Sequence, residues 1–316
     1  MDQALLSTRN VIGLYYARLE NPMTGGWIDR ISNLFGSDQA SENYPFLGQN
    51  PRMREWIGGR QAKGLRANQL TIRNRHYEAT LAIAIPDLRR DKTPQIRARV
   101  SEFADEGDAH WGTLLSALIQ NGASTVCYDG QFFFDTDHNE GDSGAQDNDI
   151  TVDISALPAS VHGIVTAPSV EEMQQSIVKG IAQILSFKDD RGRPMNSNAR
   201  KFTVTVPVGL WVAAASAMKA LATSALLNQQ LPQLAAGIDV TVEMLPELTF
   251  TDSFAVWRDD SPIKALIRQN ETNPVLKLKD ETSEHAFDND EIQLGIDAWR
   301  AADYGLWQRS CYVTMI

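Results

Sequence analysis

The sequence predicts an α+β chain organised around one long amphipathic helix, and three observations carry that expectation. Ile96, Val100, Phe103, Gly107, Trp111, Leu114 and Leu118 recur at steps of three and four residues. One stripe of a helix is therefore apolar over about 25 residues, or roughly 37 Å at 1.5 Å per residue. Residues 238–244 alternate apolar and polar side chains, as a half-buried strand does. Met173, Ile177, Ile181 and Ile184 mark the inner face of a second helix, opened by the capping-box pair Ser169 and Glu172.

The remaining elements follow along the chain. Residues 1–50 show no sustained period and read as an extended arm that needs something to lie against. Residues 56–86 read as a long hairpin, with a bend at Asn74-Arg75 and alternating Leu81, Ile83 and Ile85. Such a ribbon has too little apolar surface to stand alone. Pro94 opens the long helix and Asn121-Gly122 stops it. Residues 129–150 form a Gly- and Asp-rich loop around Phe132, Phe133 and Phe134, and Asp189-Asp190-Arg191-Gly192 is a turn. Strands are expected at 202–206, 254–258, 274–279 and 293–299, the last two flanking an acidic loop at 280–291. An Ala-rich helix spans about 208–230, and Tyr304, Trp307 and Tyr312 close the chain as an aromatic cluster.

Composition narrows the class. The 316 residues, at 43% hydrophobic and 22% charged, belong to a globular chain of about two domains or one elaborated domain. Two cysteines, Cys127 and Cys311, exclude a disulfide scaffold and fit a reducing compartment. The first residues carry no basic patch followed by an apolar run, so no secretory signal is expected. Residues 202–218 are uncharged, but the stretch contains Pro207 and meets Lys219, and a central lysine costs about 2.5–3.5 kcal/mol in a membrane helix. A strand followed by a buried helix explains it better, and no membrane partner is expected.

Charge is sharply partitioned. The net charge is −11, yet residues 51–100 hold 12 Lys/Arg against 4 Asp/Glu, and residues 101–150 hold 11 Asp/Glu and no Lys or Arg. A basic stretch can contact nucleic acid, and a nucleic-acid-binding module based on residues 51–100 is one alternative reading. The acidic block beside it would repel phosphate, so pairing between copies of the chain accounts better for both blocks.

Candidate catalytic groups are sparse. Gly141-Asp142-Ser143-Gly144 copies the surroundings of a serine nucleophile, and a serine hydrolase using Ser143 is the other alternative. No histidine has a matching context: His76, His110, His162 and His285 are isolated, and Cys127 with His138 fits no catalytic signature. Asp135, Asp137 and Asn139 start like a calcium loop, but Glu140 and Gln146 stand where glycine and glutamate are required. No phosphate loop, paired metal-ligand motif or dinucleotide fingerprint is present, so catalysis, cofactor and metal are not expected.

Taken together, four segments resemble a known family. Cys127-Tyr128-Asp129-Gly130-Gln131-Phe132-Phe133-Phe134-Asp135-Thr136-Asp137-His138 resembles the signature of the Mu-like phage major head subunits. Trp56-Ile57-Gly58-Gly59-Arg60, Asp189-Asp190-Arg191-Gly192-Arg193 and Asp303-Tyr304-Gly305-Leu306-Trp307-Gln308 match in the same order. The departures are Asn139 and the Ala-rich helix, and the arm before residue 50 lies outside the resemblance.

The resemblance implies an HK97-like capsid fold. Its parts would be an N-terminal arm (1–50), an extended E-loop hairpin (51–90) and a P domain (91–160) with the spine helix at 94–120. An A domain (161–290) and a C-terminal return to the P domain (291–316) would complete it. The implied function is a major capsid protein, not an enzyme, forming hexamers and pentamers of an icosahedral phage head around double-stranded DNA. A separate scaffold protein, maturation protease and portal are the implied partners, without sequence-specific DNA binding. Arg60, Lys63, Arg66, Arg73 and Arg75 are expected to lie on a neighbour's acidic surface. That surface is either Glu102, Asp105 and Glu106 or the loop carrying Asp135 and Asp137.

Overall fold

The computed structural model describes residues 15, 26–44, 70–90, 95–227 and 237–316. The chain enters through α1 (Trp27–Ile31), β1 (Ser32–Gly36), β2 (Ser41–Tyr44), β3 (Leu70–Arg73), β4 (Arg75–Ala84), α2 (Ile85–Arg90) and the long α3 (Gln95–Gln120). The middle holds β5 (His138–Asn139), β6 (Ala145–Gln146), β7 (Asp149–Val152), α4 (Val170–Ser186), β8 (Lys201–Val206) and α5 (Val208–Leu227). It closes with β9 (Asp239–Met244), β10 (Ser253–Arg258), β11 (Leu266–Lys279), α6 (Glu284–Asn289), β12 (Glu291–Tyr304) and β13 (Ser310–Met315). No helix among the described residues is long and apolar enough to cross a membrane.

Two sheets organise these elements. The first has the order β1-β11-β12-β4, with β1 parallel to β11 and the other pairs antiparallel. Side chains alternate along β12: Ile292, Leu294 and Ile296 are buried with Ile83 of β4 and with Val100 and Ala104 of α3, and Ala298 continues the buried face. The opposite face carries His76, Glu78 and Thr80 beside Trp299, Asp297 and Gly295, and it stays exposed or half-buried.

The second sheet has the order β7-β13-β10-β8-β9. Every residue of β10 is buried, because α4 lies on one face and the Phe133-Phe134 loop lies on the other. Gly180 lets α4 approach closely: a Cβ there would sit 2.9 Å from Val256 and 3.0 Å from Val313. Helix α4 forms where expected, with Ser169 and Glu172 in a complete capping box and Met173, Ile177, Ile181 and Ile184 buried.

Helix α3 joins the two cores. Its buried apolar positions are Val100 and Ala104 in the first core and Leu115 and Ile119 in the second, whereas Leu114 and Leu118 are half-buried. The expected stripe therefore shifts by one residue along the helix, because each half faces a different sheet. The helix stops where expected, at Gln120, although without the left-handed glycine of the usual cap. Gly122 lacks a positive φ, and a Cβ there would collide with the Phe134 ring.

Other expectations change with long-range pairing. Within residues 26–44 the arm is not a coreless extension: Ile28 and Ile31 enter the second core and β1 pairs with β11. The described part of the expected hairpin also separates. Strand β3 pairs with β2 while β4 pairs with β12, because a buried Asn74, hydrogen-bonded to Ser37, Gln39 and Gln269, anchors their junction. Strand β13 was expected only as aromatic residues, and it lies next to the centre of the second sheet.

Candidate functional site

The charged residues expected at subunit contacts fall in distinct places. Arg60, Lys63 and Arg66, with the Trp56–Arg60 segment, lie outside the described residues. Arg73 is exposed on β3. Arg75 is exposed at the start of β4, where its charge opposes the rise that burial imposes on the Asp303 carboxyl. Glu102, Asp105 and Glu106 share one side of α3 at helical spacing, with Glu102 and Glu106 exposed and Asp105 half-buried. Asp135 is engaged within its own turn, accepting hydrogen bonds from the backbone N–H groups of Thr136 at 2.7 Å and Phe132 at 3.1 Å. Asp137 is exposed. Among the described residues, no ion pair joins Arg73 or Arg75 to Glu102, Glu106, Asp135 or Asp137.

Three of the four family-like segments converge on one buried node. The segment from Cys127 turns back on itself through Cys127 N–H to Gln131 C=O (2.8 Å) and Gly130 N–H to Cys127 C=O (3.2 Å). This places His138 Nδ1 2.6 Å from Asp129 Oδ2, while the Cys127 thiol donates to Asp129 Oδ1 at 3.0 Å. His138 is fully buried and stacks on Trp307, 4.0 Å between ring centroids and 9° between planes. Tyr128 donates to Glu140, and Gln308 donates to Glu140 at 3.0 Å. The turn at Asp189 closes on its own carboxylate, and Asp190 C=O accepts from Asp142 N–H at 2.8 Å.

The electrostatics of the node follow from burial. Burial pushes the Glu140 carboxyl up, and the hydrogen bonds from Tyr128 and Gln308 only partly offset it. Burial acts the same way on Asp129, but hydrogen bonds from His138 and Cys127 outweigh it and hold Asp129 below its usual value. The Cys127 thiol is raised by burial and then by Asp129, so it is no ready nucleophile. A neighbouring acidic corner behaves differently: burial, then Asp147 and Asp135, push Asp149 up to about 6.

Catalysis finds no support in this geometry. Ser143 is buried in a turn, where its hydroxyl accepts from Glu140 N–H at 3.0 Å and donates to Gly144 C=O at 2.9 Å. A cavity of about 120 Å³ between α3, β4 and β12 is lined by Tyr77, Glu106, His110 and Ile296, among others. It is smaller than pockets that hold drug-sized ligands, roughly 300–1,000 Å³. The sequence pointed to Cys127 and His138 only as a failed catalytic pair. Asp129, which joins them, was missed, although Cys-x-Asp followed by a histidine nine residues on was its visible signal.

Comparison with known proteins places these segments. The family model of the Mu-like prophage major head subunit gpT matches residues 19–156 and 244–314, about two thirds of the chain. It reaches into the arm that the resemblance left out, and it omits 157–243, which holds α4, β8 and α5. The chain is 32% identical over 111 residues to the Mu-like prophage FluMu major head subunit of Haemophilus influenzae. It is 29% identical over 110 residues to the major capsid protein of Escherichia phage Mu. Each alignment covers 35% of this chain and only 36% of the relative.

Among solved structures, the procapsid of bacteriophage JBD30 superposes with a TM-score of 0.56 at 20% identity, over 96% of this chain and 72% of that one. The capsid of cyanophage P-SCSP1u gives 0.53 at 9% identity, over 90% and 86%. At these identities the likeness speaks to the fold, which is HK97-like. With the signature segments meeting in one node of that fold, the chain belongs to the Mu-like prophage major head subunit gpT family.

Proposed function

We propose that this chain is a major capsid subunit, copies of which form hexamers and pentamers and close into an icosahedral head around double-stranded DNA. The family match across strands of both sheets carries this reading. Under this reading the arm (1–50), E-loop (51–90), P domain (91–160), A domain (161–290) and C-terminal return (291–316) keep the boundaries expected from the sequence. The basic residues Arg60, Lys63, Arg66, Arg73 and Arg75 lie on the α3 face of a neighbour, against Glu102, Asp105 and Glu106. That face suits the role because Glu102 and Glu106 are exposed on it at helical spacing, whereas Asp135 already serves its own turn. Complementary charge here fixes register more than it adds affinity.

A separate scaffold protein, maturation protease and portal complete the assembly, which takes place in the host cytoplasm before the subunit resides in the virion. The net charge of −11 repels packaged DNA on average and favours filling without sequence-specific adhesion.

The test is co-expression with the scaffold, followed by sedimentation and negative-stain microscopy. Wild type is expected to give closed shells. Arg73→Glu with Arg75→Glu is expected to leave a folded, unassembled subunit, partly rescued by Glu102→Arg with Glu106→Arg. Shells that form equally well from the reversed chain at all salt concentrations would remove the charge reading. A chain that never closes beside its scaffold would remove the capsid reading.

A further inference from the structure

We propose that Cys127, Asp129 and His138 form a binding site for one divalent transition-metal ion of the zinc class. The proposal is independent of assembly. A thiol sulfur, a carboxylate oxygen and an imidazole nitrogen lie within 4.8 Å of one another, from residues that are buried or half-buried. Sulfur, nitrogen and oxygen donors together suit zinc, whereas magnesium and calcium take oxygen.

Preorganisation supports the assignment. His138 cannot swing away, because its ring is stacked on Trp307 and has no exposed surface. Cys127 is held by the two backbone hydrogen bonds of its turn. Asp129 stands between them: its Oδ2 lies 2.6 Å from His138 Nδ1, and its Oδ1 accepts from the Cys127 thiol at 3.0 Å and from Gln131 N–H at 3.2 Å. Zinc with bonds of about 2.0–2.3 Å sets its donors a little farther apart than these hydrogen bonds do. A small outward movement therefore replaces two hydrogen bonds with three metal bonds.

The rest of the node is consistent with a cation. His138 Nε2 is buried and has no hydrogen-bond partner among the described residues, so the ring's polar role is on the Nδ1 side. Residues 101–150 contain no lysine or arginine that would compete for Asp129 from within the segment. On binding, the Cys127 S–H bond breaks as the sulfur–metal bond forms, and that proton leaves to solvent. The Nδ1 proton of neutral His138 moves to Nε2 as Nδ1 takes the metal. One proton is released per ion, and water fills the remaining position.

The experiment is titration of the chelator-stripped full-length chain with Co²⁺, followed by displacement with Zn²⁺. The expected result is a thiolate-to-cobalt charge-transfer band saturating at one ion per chain, with one proton released and a higher unfolding temperature in Zn²⁺. The sequence holds only two cysteines, so the sulfur is assigned by variants: Cys311→Ser keeps the band, and Cys127→Ser and His138→Asn lose it. If Cys127→Ser fails to fold, wild type and Cys311→Ser still decide. Absence of the band in folded wild type, or its loss in folded Cys311→Ser, would overturn the site.

Discussion

The two sheets solve the same problem in opposite ways. The second sheet is covered on both faces, so β10 reads Ser-Phe-Ala-Val-Trp-Arg with every residue buried. The first sheet is covered on one face by α3, and along residues 291–299 of β12 its other face is exposed or half-buried, so that stretch alternates; beyond it β2 and β3 cover Ile267 and Ala301. Burial on both faces makes a strand intolerant of any polar change. A bare face leaves half its side chains free to serve another purpose.

The largest expected effect comes from placing one charge on each sheet. Val256→Asp buries a carboxylate between α4 and two strands, with no partner, and is expected to cost more than about 3 kcal/mol and abolish soluble expression. Thr80→Lys on the bare face is expected to change subunit stability by less than about 0.5 kcal/mol. Urea unfolding of the unassembled chain checks both, and equal effects would erase the contrast between the sheets.

A smaller effect tests the joint between the cores. Gly122→Ala would place a methyl against the Phe134 ring, and a loss of about 1–3 kcal/mol is expected from overpacking. Because φ at Gly122 is not positive, backbone strain cannot be the cause. Phe134→Leu in the same chain should therefore recover part of the loss. No recovery would place the penalty elsewhere.

The smallest effect is the pH response of the acidic corner on β7, the edge strand of the covered sheet. Asp149 titrates at about 6 in the folded chain, above an unfolded carboxylate near 3.9. The folded state therefore binds the proton more tightly. The penalty of the charged form is full above about pH 6 and fades as pH falls toward 4. Asp149→Asn should stabilise the chain at pH 7 by under about 1 kcal/mol, after allowing for partial exposure, and flatten this slope. An unchanged slope between pH 7 and 5 in the variant would assign it to other carboxylates.

Much of the architecture was legible before any coordinates. Periodicity located α3 and α4 because each buries a face whose repeat is written locally, β8, β9 and β10 lie where short β-compatible runs were read, and the Ser169–Glu172 box marked a helix start to the residue. The family-like segments were legible too, as words without a visible reason. The reason is tertiary: Cys127–His138 and Tyr304–Gln308 are far apart in sequence and meet around Trp307 and Glu140, and the Asp189–Arg193 turn joins them at Asp142.

Sequence by itself determined the helices, the separation of basic and acidic blocks and the family, since these rest on residue type and short-range spacing. Only the tertiary structure decided that β1 pairs with β11, that β3 and β4 part company at Asn74, and that β13 sits deep in a sheet. Strand partners are chosen by contacts across tens to hundreds of residues, and no local period encodes them. The same holds for Asp129, whose place between a thiol and an imidazole exists only once the loop has folded.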